Sequence, residues 1–192
     1  MGEEILVIAN GKWEKNTLFE NLISKADFII ALDGAADRFD EWDVVVGDMD
    51  SIKQIGDNEI DKNQDNSDLS KALEKYPVCS VFGIEGGRLD HRIGAFVSLI
   101  ETNSNAILYF DGWRACRVPK IGKKFNLKVG SKCALFSLGK SKSVTITGVE
   151  YQLEKQDLKT GTKGLGNKVT NSEVFVQRSE GDLLFIWEEN GL

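Results

Sequence analysis

Five short apolar runs, separated by segments with helical spacing, occupy roughly the first 110 of the 192 residues. The runs lie at 5–9, 28–32, 44–46, 78–84 and 106–110. Between them, apolar residues recur three and four positions apart, as at Leu69, Leu73 and Tyr76. Because strands that alternate with helices form parallel sheets covered on both faces, the sequence predicts an N-terminal α/β domain.

Two further expectations concern segments inside this domain. After Gly86-Gly87 a helix is expected, with its apolar side chains turned inward; these are Leu89, Ile93, Phe96, Val97 and Ile100. The polar stretch 57–66 shows no such period, and a loop is expected there.

The pattern changes after Asp111-Gly112, where short segments rich in Val, Phe, Thr and Leu replace helical spacing. These segments are 115–119, 124–129, 133–138, 143–147, 149–153, 173–177 and 182–187. Such a run of short strands predicts an antiparallel β-sandwich. The predicted fold is therefore an N-terminal parallel α/β sheet domain, residues 1–114, followed by a C-terminal antiparallel β-sandwich domain, residues 115–192.

Charge is unevenly distributed along the chain. The net charge of −6 argues against a nucleic-acid partner. From Asp33 to Asp68 there are twelve Asp or Glu residues against three Lys or Arg, so an anionic substrate there must arrive with a metal ion. From Gly112 to Val149 nine Lys or Arg residues occur without an acid, a pattern more typical of a solvated strand face than of a phosphate site.

The expected location is the cytoplasm. No apolar run approaches the length of a membrane span, and Met1-Gly2-Glu3-Glu4 lacks the basic start of a signal peptide. The three widely spaced cysteines, Cys79, Cys116 and Cys133, form neither a disulfide framework nor a CxxC pair, which fits a reducing compartment.

Two aspartates follow the third apolar run directly, in Val44-Val45-Val46-Gly47-Asp48-Met49-Asp50-Ser51. A turn at Gly47 would let the carboxylates of Asp48 and Asp50 converge at the carboxyl end of a strand, where open α/β sheets bind ligands. Two crowded carboxylates need a cation between them, and Mg²⁺ prefers such oxygen ligands. The alternative is a polar loop in which Asp48 caps a short helix near Ser51.

Other acidic residues occupy comparable positions. Asp33 follows the second apolar run, where it either joins the same crevice or only caps the next turn. Asp68 opens a helix, with Lys71 one turn later, so the two are either a metal ligand and a phosphate contact or a favourable helix start and an exposed ion pair.

The segment Gly86-Gly87-Arg88-Leu89-Asp90-His91 suits an anion. A glycine pair before a helix lets backbone N–H groups approach phosphate, and Arg88 can add a bidentate contact. His91 is the only histidine of the chain, and its position beside Asp90 favours a site over an ordinary surface residue.

In the β domain, Thr170-Asn171-Ser172 offers hydrogen-bonding groups, with Tyr151, Phe175 and Trp187 among the aromatic residues. An aromatic side chain and small polar groups can hold a flat heteroaromatic ring. For each aromatic residue, packing in the core is the competing interpretation.

Together, Asp33-Gly34, Gly47 to Ser51, Gln64 to Asp68 and Gly86 to His91 resemble the ordered motifs of thiamine pyrophosphokinases. Thr170-Asn171 resembles a Ser-Asn turn of that family. The resemblance implies an α/β domain that binds ATP and Mg²⁺, a β-sandwich that binds thiamine, and a homodimer with sites at the subunit interface. It implies transfer of pyrophosphate from ATP to thiamine, giving thiamine diphosphate and AMP.

The same resemblance implies roles for individual residues. Asp48, Asp50 and Asp68 resemble the Mg²⁺ ligands, with Asp33 close behind. The residues that resemble nucleotide and phosphate contacts are Gln64, Lys71, Gly87, Arg88, Asp90 and His91. Thr170 and Asn171 resemble contacts to the pyrimidine of thiamine.

Three alternative functions remain open at this stage. One is a pyrophosphokinase for another heteroaromatic alcohol, such as a hydroxymethyl pterin. A second is a non-catalytic sensor that binds a nucleotide or thiamine. The third is a phosphohydrolase, for which water alone would be the acceptor.

Overall fold

The structure is a computed structural model that describes residues 2–47, 58–60 and 65–189. The chain forms two compact units, Met1–Asp111 and Gly112–Leu192. The boundary between them lies three residues before the one placed after residue 114 from the sequence.

The first unit is a parallel sheet with helices, which confirms the predicted α/β domain. Its strands are β1 (Ile5–Ile8), β2 (Phe28–Leu32), β3 (Val44–Gly47), β4 (Asn58–Ile60), β5 (Ser80–Phe82) and β6 (Ile107–Phe110). Its helices are α1 (Thr17–Ile23), α2 (Asp68–Lys75) and α3 (Leu89–Glu101). The strand order is β4-β3-β2-β1-β5-β6, and every neighbouring pair is parallel.

Strand β4 shows where the expected loop at 57–66 was wrong. It pairs in parallel with β3 at one edge of the sheet. Two of its three residues, Asn58 and Glu59, are polar, so the segment has no apolar run that would indicate a strand.

The core of the first unit lies between the sheet and the segments that follow β1 and β2. All four β1 residues are buried, as expected for a central parallel strand. The aromatic rings of Trp13, Phe19, Phe39 and Phe82 pack together beside them, and the Trp13 indole donates to the Ala9 carbonyl oxygen at 2.9 Å.

The predicted inward face of α3 was wrong at three positions. Leu89, Ile93 and Val97 are 69, 56 and 46% exposed. The buried face instead contains Ala95, Ser98 and Leu99. The small side chains on this face allow α2 to approach closely. The buried hydroxyl group of Ser98 is compensated there by hydrogen bonds. The positions of apolar residues along α3 therefore do not predict which face of the helix is buried.

The loops after β1 and β5 lock together where the strand order reverses. The Gly11 amide donates to the Gly83 carbonyl oxygen at 2.7 Å, and the Lys12 amide donates to the Glu85 carbonyl oxygen. A Cβ atom at Gly11 would lie 2.3 Å from the Gly83 oxygen and 2.4 Å from the Glu85 oxygen. Only glycine permits this approach.

Replacing Gly11 with alanine is therefore expected to lower the free energy of unfolding by about 3 kcal/mol, because backbone atoms must move apart. The matched control is Gly94→Ala within α3, where an added Cβ meets nothing within 4 Å and the helix gains about 1 kcal/mol. Urea denaturation measures both changes. Equal stability of Gly11→Ala and the wild-type protein would contradict the locked loops.

The second unit is antiparallel and sandwich-like, as predicted. Its strands are β7 (Trp113–Arg117), β8 (Lys123–Asn126), β9 (Lys132–Thr147), β10 (Leu153–Lys159), β11 (Asn167–Lys168), β12 (Glu173–Gln177) and β13 (Glu180–Glu188). Strand β9 joins two segments that were predicted separately. It pairs with β13 and β11 in one sheet and with β10 and β12 in the other.

Three aromatic residues occupy the interior of the second unit. Phe125 packs against Phe185 and Trp187, with ring centroids 4.8 and 5.0 Å apart. Trp187 therefore belongs to the core, as the competing interpretation held. No helix within the described ranges is long and apolar enough to cross a lipid bilayer.

Candidate functional site

The ends of β2 and β3 and the start of α2 meet at one point in the first unit. A Cβ atom placed on Gly47 would lie 3.1 Å from the Cβ atom of Asp33 and 3.3 Å from Oδ2 of Asp68. Gly47 is the last residue of β3, so both acidic residues lie beside the end of that strand. The structure therefore brings Asp33 and Asp68 together beside Gly47.

Asp33 is held in an unusual environment. It opens a short 3-10 turn, Asp33–Ala35, directly after β2, with φ at +34°. Its Oδ1 is buried and accepts no hydrogen bond from the residues that the structure describes. A buried carboxylate oxygen without a donor is costly unless something else compensates its charge, and a cation is one such compensation.

Asp68 and Lys71 form an ion pair at the first turn of α2. Lys71 Nζ lies 3.1 Å from Asp68 Oδ1, and the lysine side chain is only 8% exposed. Ser67, the residue that precedes the helix, caps it, because its Oγ accepts from the Ser70 amide at 3.2 Å. A buried ammonium needs a compensating charge, so this pair is more than the exposed surface contact considered from the sequence.

Several of the predicted site residues lie outside the described part of the chain, namely Asp48, Asp50 and Gln64. Among residues 2–47, 58–60 and 65–189, no three His, Cys, Asp or Glu side chains form a group that could hold a metal ion. The described acids, Asp33 and Asp68, lie beside Gly47, which directly precedes Asp48 in the sequence.

The turn between β5 and α3 presents backbone rather than side chains. Gly86 and Gly87 both have φ at +62°, and a Cβ atom at Gly87 would meet nothing within 4 Å. This leaves the N-terminus of α3 open to an anion. Just before the turn, burial raises the pKa of Glu85 above its ordinary value, although its carboxylate accepts the Asp111 amide at 2.7 Å.

Arg88, Asp90 and His91 are exposed at the start of α3. Arg88 forms a two-point contact with Asp90, whose two oxygens accept at 3.1 and 2.5 Å. This hydrogen bonding lowers the pKa of Asp90 to about 2, so the pair remains ionised at neutral pH. The His91 amide also donates to Asp90 at 3.0 Å.

The acidic point (Asp33, Gly47 and Asp68) and the glycine turn (Gly86 and Gly87) both lie on the side of the sheet where its parallel strands have their carboxyl ends. In the strand order, β1 separates β2 from β5, so the carboxyl ends of β2 and β5 are two strand spacings, or roughly 10 Å, apart. A chain of phosphate groups is long enough to span the distance between these two strand ends.

Thr170 and Asn171 occupy a turn in the second unit and are both exposed. Both backbone amides donate to the Gly148 carbonyl oxygen, and Asn171 Oδ1 accepts from the Glu173 amide at 3.0 Å. The Asn171 side chain thus stabilises the turn itself. Neither residue lines the cavity that β9 and β10 form in this unit.

A cavity of about 260 Å³ lies between β9, β10 and the segment before β11. Its lining residues are Cys133, Ala134, Leu135, Ile146, Tyr151, Leu153, Thr162, Lys163, Gly164, Leu165 and Asn167. The volume suits a single ring, and Tyr151 supplies an aromatic face that is 65% exposed.

The buried amide of Asn167 holds Tyr151 in place. Asn167 Oδ1 accepts from the Tyr151 amide at 3.0 Å, and Nδ2 donates to the Tyr151 carbonyl oxygen at 2.8 Å. Sequence reasoning selected Tyr151 as one possible ring contact but missed Asn167. Asn167 lies sixteen residues from Tyr151 in the sequence. The one sequence feature that could have indicated Asn167 is its place between a glycine-rich segment and a β-branched one.

Comparisons with known proteins agree with this two-unit arrangement. Residues 19–110 match the family model "Thiamin pyrophosphokinase, catalytic domain". Residues 120–183 match "Thiamin pyrophosphokinase, vitamin B1 binding domain". Each match lies within one of the two compact units.

Individual relatives share only low sequence identity with this chain. The chain is 27% identical to thiamine pyrophosphokinase 2 of Oryza sativa subsp. japonica over 74% of its own length and 64% of the length of that relative. The crystal structure of the Bacillus subtilis thiamine pyrophosphokinase is similar with a TM-score of 0.77 at 21% identity, covering 98% of this chain and 100% of that one. The Candida albicans enzyme gives 0.79 at 15% identity, covering 97% and 89%. At these identities the structural likeness shows the fold.

Proposed function

Because the chain belongs to the thiamin pyrophosphokinase family, we propose that it transfers pyrophosphate from ATP to the hydroxyethyl group of thiamine. The hydroxyl oxygen attacks the β-phosphorus, and the bond from that phosphorus to the oxygen bridging it to the α-phosphorus breaks. The products are thiamine diphosphate and AMP. Family membership is the premise, and the chemistry of the site supports the reaction.

The observation that carries the proposal is the meeting of Asp33, Gly47 and Asp68 at the carboxyl ends of β2 and β3. Acidic residues at this point would repel ATP alone. An enzyme that handles a triphosphate there must neutralise its charge. Oδ1 of Asp33, which accepts no hydrogen bond from the described part of the chain, fits a site built around a cation.

The residues suited to hold Mg²⁺ are Asp48, Asp50 and Asp68, with Asp33 close behind. Their oxygen atoms are the hard ligands that this ion prefers. When bound, Mg²⁺ supplies positive charge that offsets the phosphates of ATP.

Other residues act on the phosphates directly. Lys71 lies beside Asp68 and contributes a positive charge at the acidic point. Arg88 can turn its exposed guanidinium from Asp90 towards phosphate, and the Gly87 region offers backbone N–H groups. Gln64, Asp90 and His91 complete the nucleotide contacts that the family resemblance implies. Positioning and charge neutralisation carry most of the rate in phosphoryl transfer.

For thiamine we propose the cavity of the second unit, because it lies within the match to the vitamin B1 binding domain. Tyr151, held by Asn167, offers a stacking surface for the pyrimidine ring. The turn at Thr170 and Asn171 is the competing position that the family resemblance implies.

Replacing Tyr151 with alanine is expected to raise the KM for thiamine about tenfold, since an aromatic stacking partner is lost, with little change in kcat. Tyr151→Phe keeps the ring and should behave as the wild-type protein. Thr170→Ala is the matched test of the competing position. A larger KM for Thr170→Ala than for Tyr151→Ala would place thiamine at the turn instead.

We further infer a homodimer. The first unit carries 22 acidic and 10 basic residues, and the second carries 8 acidic and 14 basic ones, so two copies can pair unlike units. Leu89, Ile93 and Val97 form an exposed apolar stripe on α3 that a second copy would cover. Sedimentation velocity of Ile93→Lys beside the wild-type protein tests this inference, and two monomeric samples would contradict it.

A cytoplasmic location is part of the proposal, since Cys79, Cys116 and Cys133 are all free thiols. Burial raises the pKa of the Cys116 thiol to about 11, so it stays protonated and unreactive.

The direct test is AMP formation from ATP in the presence of Mg²⁺, with and without thiamine. AMP that appears only with thiamine supports the proposal. A hydroxymethyl pterin as the better acceptor would indicate the related pyrophosphokinase, and ATP binding without AMP would indicate a sensor. ATP breakdown with water alone would indicate a phosphohydrolase.

A further inference from the structure

A buried polar seam joins α2 to α3. Ser70 and Ser98 are 1 and 2% exposed, and their hydroxyl oxygens lie 2.8 Å apart. Ser70 Oγ also lies 2.8 Å from Oε2 of Glu101, the last residue of α3. Ser67 Oγ, which caps α2, is 3.3 Å from Ser98 Oγ. The hydroxyl groups form one connected chain.

The direction of these hydrogen bonds follows from the number of protons. A serine hydroxyl has one proton, and an ionised carboxylate can only accept. Ser70 is therefore the donor to Glu101, and Ser98 Oγ is a second acceptor of the same Ser70 proton, whereas either hydroxyl can donate in the contact between Ser67 and Ser98. Every buried hydroxyl of the seam has a partner within the described residues, which makes the arrangement specific rather than merely tolerated.

Glu101 also contacts the segment that precedes α2. With the Asn66 amide turned so that its nitrogen faces acceptors, Nδ2 lies 3.3 Å from Glu101 Oε1 and 2.9 Å from the Asp65 carbonyl oxygen. The two oxygens of one carboxylate thus hold Asn66 and Ser70 on either side of Asp68.

Apolar contacts alone would leave α2 free to rotate and slide along α3, whereas paired hydroxyl groups define one register. We infer that Ser70, Ser98 and Glu101 are positioning residues, which fix the first turn of α2 so that Asp68 faces the end of β3. This inference rests on the proposed function, in which Asp68 binds the divalent cation. It assigns to the far side of α2 the role of orienting that ligand.

Mn²⁺ binding separates positioning from general stability. The probe is Mn²⁺ together with a non-hydrolysable ATP analogue. Binding of Mn²⁺ is measured as the loss of the free-ion signal in electron paramagnetic resonance. Ser70→Ala is expected to weaken Mn²⁺ binding about tenfold, because a group that orients a metal ligand is lost. The KM for thiamine should remain unchanged.

The second unit offers a matched control. Ser137 and Ser141 form a buried hydroxyl pair 2.8 Å apart, and Ser141 donates to the Asp182 carbonyl oxygen at 2.9 Å. Ser141→Ala removes a comparable hydroxyl group and should lower the unfolding temperature similarly, without changing Mn²⁺ affinity. Equal Mn²⁺ affinities of Ser70→Ala and Ser141→Ala would overturn the inference.

Exposed Glu101 supplies a variant that does not endanger folding. Glu101→Gln keeps an oxygen that can accept from Ser70, and its Mn²⁺ affinity should stay within about twofold of wild type, whereas Glu101→Ala should lose about tenfold. Wild-type Mn²⁺ affinity in Glu101→Ala would also overturn the inference. A wild-type protein that binds Mn²⁺ with the analogue but forms no AMP from ATP and thiamine would refute the proposed function alone.

Discussion

An Asp33→Asn variant is expected to unfold at a higher temperature than the wild-type protein and to turn over ATP and thiamine at least about a hundredfold more slowly. The gain in stability is expected because Oδ1 of Asp33 is buried without a hydrogen-bond donor among the described residues. An amide is neutral, so its burial costs less than that of a carboxylate. Asparagine also adopts the left-handed backbone, here at φ +34°, as readily as aspartate does.

The loss of activity has the same origin. Among the described residues no donor reaches Oδ1 of Asp33, so its charge is useful when a cation approaches the end of β3. Several kcal/mol of charge stabilisation correspond to the expected hundredfold or more. Opposite signs for stability and activity are the signature of a residue kept for function.

Asp111→Asn is the matched control, since Asp111 also has a positive φ, at +46°, but pairs with Arg92 away from the acidic point. It should lose a little stability and keep its activity. Thermal unfolding without divalent ions and steady-state AMP formation measure both properties. A less stable Asp33→Asn variant would show that its carboxylate is compensated in the metal-free protein.

The fold was predictable where apolar residues report burial on both faces of a sheet. Val44, Val45 and Val46 are all buried, and their continuous β-branched run predicted a strand that the structure confirms as β3. Strand β4 was not predictable, because its pairing at the sheet edge, and not its composition, defines it. The same limit applies to α3, whose inner face was set by the close packing of Ser70 against Ser98.

The candidate site was predictable to the extent that chain order places residues at strand ends. Asp33 and Asp68 meet beside Gly47 because β2, β3 and α2 share one edge of the first unit. The contact between Asn167 and Tyr151 was not predictable, since an amide that bonds a distant backbone leaves no periodic pattern. Thr170-Asn171 was the more visible motif because turn-forming residues adjoin one another in sequence.

Replacing Asp68 with asparagine is expected to lower turnover about a thousandfold and, unlike the change at Asp33, to reduce stability. The carboxylate of Asp68 is proposed to bind the cation, and losing it removes several kcal/mol of charge stabilisation from the phosphates. It also compensates the buried ammonium of Lys71 at 3.1 Å, and an amide leaves that ammonium less compensated at a cost of about 2 kcal/mol.

The two consequences separate in a double variant. Asp68→Asn with Lys71→Met removes both charges, so stability should recover while activity stays low. Glu74→Gln, on the exposed side of the same helix, is the control for a lost carboxylate and should behave as the wild-type protein. Unfolding in urea and AMP formation over a range of Mg²⁺ concentrations give the two readouts. If Asp68→Asn kept wild-type turnover at the same Mg²⁺ concentration, Asp68 would not be a ligand, and its ion pair with Lys71 would be structural.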